Sequence, residues 1–296
     1  MRHVTLSVLV ALATFGTPGG LTFAAPFEPK IIPDQVEAVG HLDVDALRKT
    51  QLFSVAGGQA AIDAALEEAP SELRPVARSL ARSIRGISFW RDKEHGALYV
   101  QTSDGKSLGQ LLGKLPAKSS PAIDGIAAYT MGDGDKRAYF AASGSTLVLA
   151  DSVESLERSI HVLGGKAGNL SGSSKLPLAT RQGVFVFVTI SDDLLGAIQK
   201  SAHSKVLQLS IRSLAVDVGE ASGVVTATAR AEMGSAEALQ KAKSILDGLR
   251  SLASLSDDAR ARALLDAVTV TANGLALEVV AKLPVAELAK VIQSMK

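Results

Sequence analysis

The sequence predicts an α+β protein made of two tandem copies of a β-α-β-β-α-β-β-α module, each a mostly antiparallel sheet with helices packed on one face. Three observations predict it. Short alternating apolar runs are interleaved with amphipathic runs of helical period, three segments of the first half recur in order in the second, and a Gly/Ser-rich stretch lies between the halves.

The chain opens with the marks of a secretory signal peptide over residues 1–24. Arg2 and His3 precede the weakly polar to apolar run Val4 to Phe15, which Gly16, Pro18, Gly19 and Gly20 end well short of the roughly 20 residues that a membrane helix requires. Thr22-Phe23-Ala24 supplies small residues for cleavage after Ala24. The mature chain is therefore expected to start at Ala25, to be exported to the periplasm or beyond, and to carry no transmembrane segment.

The first module is expected over residues 25–163. Val36, Ala38, Gly40 and Leu42 alternate as a buried strand, and Asp43-Val44-Asp45 then reads as a helix start with Asp43 as its cap. Val184, Val186, Val188 and Ile190, followed by Ser191-Asp192-Asp193, repeat the pattern. Next comes a hairpin: Arg85 to Thr102 matches Arg212 to Ala229 without a gap, pairing Ile87 with Leu214, Phe89 with Val216, and Gly96 with Gly223 as the glycines of equivalent turns. Helices follow Ser107 and Ser235. Strands IAAYTM, AYFAAS and TLVLAD in the first half, and VTVTANG and LALEVVA in the second, lead to closing helices. Those helices carry Val153, Leu156, Ile160, Leu163 and Val285, Leu288, Ile292, Met295 on one stripe. Residues 164–175 read as a linker and 176–296 as the second module. The first module carries a helical insertion near 57–84, absent from the second.

Composition narrows the function classes. Hydrophobic residues make up 47% of the chain, enough for substantial cores, and 31 Lys plus Arg balance 30 Asp plus Glu, which argues against a general nucleic-acid binder. With 0 cysteines there is no disulfide framework, thiol nucleophile, cysteine zinc site or thiol for a lipid.

The insertion's second helix is expected to bury Leu73, Val76, Leu80 and Ile84 while Arg74, Arg78, Arg82 and Arg85 run along another face. Four arginines in line would suit an acidic polymer, a phospholipid surface or a partner's carboxylates. They would equally suit an ordinary solvated face balanced by Glu67, Glu68 and Glu72. Trp90, the one tryptophan, sits beside them on the hairpin, and joins them as a candidate contact residue or a half-buried one against the insertion.

No catalytic constellation is complete. His41, Asp43 and Asp45 alternate, yet the corresponding Thr189, Ser191 and Asp193 share helix capping rather than metal ligation, so no metal is expected. Gly132-Asp133-Gly134-Asp135 lacks the remaining ligands of a calcium loop and reads as a hairpin turn. Ser103 to Lys106 matches SxxK only in a turn, without the companion motifs, and there is no HExxH. No catalytic residue and no cofactor is assigned.

The segment VEAVGHLDVDALRKTQLF resembles the strand-then-DVDAL opening of uncharacterised exported proteins of planctomycete-like bacteria. The resemblance implies an envelope protein without assigned activity and transfers no site residues. The expectation is thus a non-enzymatic two-module scaffold or binding protein of the bacterial envelope. Its partner would be another envelope protein or an anionic envelope component, met through Arg74, Arg78, Arg82, Arg85 and Trp90. The alternatives are an envelope hydrolase with a site between the modules and a carrier holding an apolar ligand between sheet and helices.

Overall fold

A computed structural model describes residues 26–67, 74–115, 117–133, 137–172, 184–191, 195, 210–254 and 266–293. The protein is α+β, its strands antiparallel, and the chain divides into two compact units, Met1–Ser173 and Ser174–Lys296.

In the first unit, β1 (Ala38–Asp43) leads into short helices α1 (Val44–Arg48) and α2 (Gln51–Val55), then α3 (Gly58–Glu67) and α4 (Arg74–Ser83) of the insertion. Asp43 caps α1 as expected, accepting the Ala46 N–H at 2.8 Å. Thr50 caps α2, accepting from Phe53 N–H at 3.0 Å. The chain continues through β2 (Ile84–Arg91), β3 (Gly96–Thr102), α5 (Gly105–Lys114), β4 (Lys118–Ile123), β5 (Ile126–Met131), β6 (Ala138–Ser143), β7 (Thr146–Ala150) and α6 (Val153–Leu163). The sheet runs β1-β2-β3-β7-β6-β5-β4. The sequence does not announce β4, because Pro121 interrupts it. Its register with β5 breaks between Ser120 and Ile123, and it lies at the end of the order, where a missing N–H is tolerated.

Helices cover both faces of this sheet, which corrects the expectation of one covered face. Tyr99 and Val100 are neighbours on β3 and so point to opposite sides. Val100 joins Ile87, Leu147 and Phe140 in a core closed by Leu80 of α4 and Leu108 and Leu112 of α5. Tyr99 meets Trp90 and α6 on the other side. The insertion brings Leu80 of α4 to this face, and α5, outside the insertion, brings Leu108 and Leu112.

Residues 164–172 also depart from the expected linker. Leu170 is buried, its N–H donates to Ile32 O at 2.8 Å, and Asn169 bridges to Pro33. This short stretch is held by the segment that precedes β1.

In the second unit the described elements are β8 (Val184–Ser191), β9 (Ile211–Ala221), β10 (Val224–Met233), α7 (Ala236–Ser254), β11 (Val268–Asn273), β12 (Ala276–Pro284) and α8 (Val285–Gln293). The helix expected after Ser191 lies outside the described residues, Leu195 apart. Strands follow the order β8-β9-β10-β12-β11. Met233, Ala242 and Leu277 form the core beneath α7, and Ser235 caps that helix through Ala238 N–H at 3.1 Å.

The two β-hairpins close differently, and the gapless match of Gly96 with Gly223 fails. Gly223 sits in a tight turn with Ser222, at φ 72 and 51, the left-handed pair that a two-residue hairpin needs. Gly96 instead opens β3 opposite Arg91, and the loop is Asp92 to His95, tied by Asp92 N–H to His95 O at 2.8 Å. The register therefore matches Val100, opposite Ile87, with Ala231, opposite Leu214.

Candidate functional site

The insertion is held from two sides. Phe53, Ile62, Leu66, Ala77 and Ala81 form a small core of their own between α2, α3 and α4, while Leu80 reaches the main sheet core. α4 ends where Ser83 Oγ donates to Leu80 O at 2.9 Å. Ile84, expected on the helix, is the first residue of β2 and pairs with Thr102. Arg85 consequently leaves the helical line of arginines and belongs to a strand.

At the foot of α4 lies a buried carboxylate that sequence reasoning missed. Asp45, 3% exposed, accepts from Arg48 Nη1 at 3.0 Å and from Arg85 Nε at 2.9 Å. Arg48 Nη2 also donates to Ala81 O at 3.0 Å, close to the C-terminal end of α4, where carbonyl dipoles favour a cation. Burial lowers the Arg48 pKa, and the Asp45 charge and hydrogen bond oppose that shift. Breaking one side of such a clamp leaves an uncompensated buried charge and typically costs about 3–5 kcal/mol. Half of the clamp was legible, because Asp45 and Arg48 stand three apart on one helix. Arg85 is remote in sequence and gave no signal.

Above this base, Arg74, Arg78 and Arg82 share a face of α4 at helical spacing, each about 6 Å along the axis from the next. Arg74 Nη1 pairs with Glu67 at 3.2 Å, and Arg78 pairs with the other oxygen of the same carboxylate. Both pairs are open to solvent, where an ion pair is worth roughly 0–1 kcal/mol. Arg82 is exposed. One carboxylate among three guanidiniums leaves the described stripe basic; Glu68 and Glu72 lie outside the described residues.

Trp90 corrects the expectation of a contact residue. It is 1% exposed, its Nε1 donates to Tyr99 Oη at 3.0 Å, and the Arg158 guanidinium lies 4.9 Å from the ring centroid. The alternation of β2 sends Trp90 toward α6, away from the arginine stripe. Burial raises the Tyr99 pKa to about 12, partly offset by hydrogen bonds with Ser159 and Trp90 and by Arg158.

Arg158 continues into a polar network at the β2–β3 loop. Nη1 donates to Asp92 at 2.7 Å and Nη2 to Gln35 O at 2.7 Å. Burial pushes the Asp92 carboxyl up, but the N–H groups of His95 and Glu94 and the Arg158 charge together hold it below the usual range. Next to it, Ser152 Oγ lies 3.3 Å from His95 Nδ1 and accepts the Ser155 N–H at 3.0 Å, while Ser155 Oγ donates to Asp151 at 2.6 Å. A serine beside a histidine suggests a nucleophile, yet here the carboxylate contacts a second serine and not the imidazole. The order is that of a helix cap, not of a nucleophile activated through an oriented base. His41, Asp43 and Asp45 are likewise used separately, for Ser88 at 2.9 Å, the α1 cap and the arginine clamp.

No protein-family model matches the chain, and no curated protein matches it. Solved structures do. Crystal form IV of TP0453 matches with a TM-score of 0.53 at 14% identity, over 90% of this chain and 97% of that one. Crystal form III of TP0453 matches with a TM-score of 0.50 at 12% identity, over 91% and 99%. At such identities the likeness shows the fold. Among the described residues, no helix is long and apolar enough to cross a membrane.

Proposed function

We propose that this is an exported, non-enzymatic scaffold or binding protein of the bacterial envelope, which meets an acidic partner through the outer face of its insertion. The observation that carries this reading is a basic stripe on a rigidly footed helix. Arg74, Arg78 and Arg82 stand outside, while α4 is fastened beneath by the Asp45 clamp and by two apolar cores. Export is supported by the apolar run of Val4 to Phe15 and the small residues of Thr22-Phe23-Ala24.

The scaffold itself is, in this reading, one module used twice. Equivalent hydrogen bonds support it: Ser103 N–H to Ser83 O beside Gly234 N–H to Ser210 O, and Thr102 N–H to Ser145 O beside Met233 N–H to Leu275 O. Strand registers agree as well, with Leu42 opposite Ile87 and Ile190 opposite Leu214. Gly144 and Gly274 turn equivalent hairpins at φ 59 and 60. The insertion then distinguishes the first copy, and function follows the difference.

The test is capture from envelope extract by the wild-type chain and by the R74Q/R78Q/R82Q variant, after circular dichroism has established that both fold. A partner retained by wild type, released as salt shortens electrostatic range, and lost in the variant is the expected result. Equal retention by both removes the insertion as the contact.

A further inference from the structure

The two ends of the sheet orders are built differently. β4, at the end of the first unit's order, carries Lys118, Pro121 and a register break, devices that keep other strands from adding to an edge. β11, at the end of the second unit's order, has none of them. Its sequence VTVTAN is uncharged, free of proline and regular in register against β12. Thr269, Thr271, Ala272 and Asn273 are exposed, and among the described residues no strand lies beyond it.

The hydrogen-bond phase of β11 identifies the backbone groups that point away from β12. Lys282 N–H donates to Ala267 O at 3.0 Å, so residue 267 faces β12, and by antiparallel alternation Thr269 and Thr271 do too. Val268, Val270 and Ala272 therefore turn their N–H and C=O groups outward.

We infer that β11 pairs antiparallel with β11 of a second copy of this chain, about a two-fold axis through Val270. In that register Val270 faces itself, and Val268 faces Ala272 of the other copy. Every outward backbone group from 268 to 272 gains a partner, and no like charges oppose one another. On one side of the strand Val270 packs against the Met233, Ala242 and Leu277 core, as Leu239 and Leu246 of α7 also do. The two-fold brings the same apolar surface of the second copy beside it, extending the contact past the backbone. β4 is protected, so the pairing closes as a dimer and does not propagate.

The chain has 0 cysteines, which makes the register directly testable. The Cα atoms of opposed hydrogen-bonded residues lie about 5.5 Å apart, within the roughly 4.4–6.8 Å that a disulfide spans. V270C is expected to give roughly tenfold or more oxidised dimer than A272C, as held proximity requires; two copies of residue 272 would lie about 13 Å apart. In sedimentation velocity the purified chain without substitutions is expected to dimerise with rising concentration. A272P, which removes an outward N–H and leaves the bonds to β12, is expected to be monomeric with an unchanged circular dichroism spectrum. Equal crosslinking of V270C and A272C, or an unsubstituted chain that is monomeric at its highest soluble concentration, would overturn the pairing.

Discussion

A row of residues across each sheet shows how differently the two units treat one face. In the first unit Phe89, Leu98 and Leu149 stand opposite one another on β2, β3 and β7, and Leu98 and Leu149 pack against the core that α4 and α5 close. The matching row in the second unit is Val216, Ala229 and Val279, smaller in volume, and Val216 is 36% exposed. α7 covers the neighbouring positions Ala231 and Leu277 instead. Phe89, Leu98 and Leu149 are half-buried, as are Ala229 and Val279, and the contrast in cover is sharpest between Phe89 and the exposed Val216. The insertion does more than add a surface, because Leu80 of α4 joins the sheet core that α5 also closes.

The sharpest break in this comparison is expected from Trp90→Ala. Trp90 is buried on the α6 side of the first sheet, and truncating a buried aromatic costs about 3–5 kcal/mol. Chemical denaturation followed by circular dichroism measures it, and a loss below 1 kcal/mol, on the order of a surface change, would mean that this face is not closed.

A smaller effect is expected in alkali. Unfolded Tyr99 releases its proton near pH 10, while the folded phenol holds it to about 12, so stability falls as pH rises from 10 towards 12. The difference is worth roughly 2 kcal/mol at the upper end. Y99F should lack this decline. The same slope in both proteins would assign it to other groups.

The smallest change is expected from Val216→Ala, about 0.5 kcal/mol or less, since little contact is lost at an open site. Chemical denaturation followed by circular dichroism, which reads both units, measures it. A larger loss would show that the open row is covered in solution.

Much of the site is legible in the sequence. The apolar period of the insertion and the spacing of Arg74, Arg78 and Arg82 are properties of one helix, and one helix is enough to read them. Arg85 escapes such a reading because helical periodicity runs on past the point where Ile84 begins to pair with β3. Trp90 escapes it because its partners, Tyr99 and Arg158, come from another strand and another helix.

By itself the sequence determined what depends on near neighbours: the caps at Asp43 and Ser235, the alternation of the strands, the α+β class and the absence of disulfides. Backbone hydrogen bonds and side-chain periods act over a few residues, so a short window contains them. Only the tertiary structure decided which face each side chain would find covered. Asp45 meets Arg85 40 positions away, residues 164–172 fold onto the start of the unit, and β4 forms despite its proline because β5 is there to pair with it. Contacts of that kind depend on where distant segments come to rest, and no local pattern encodes that position.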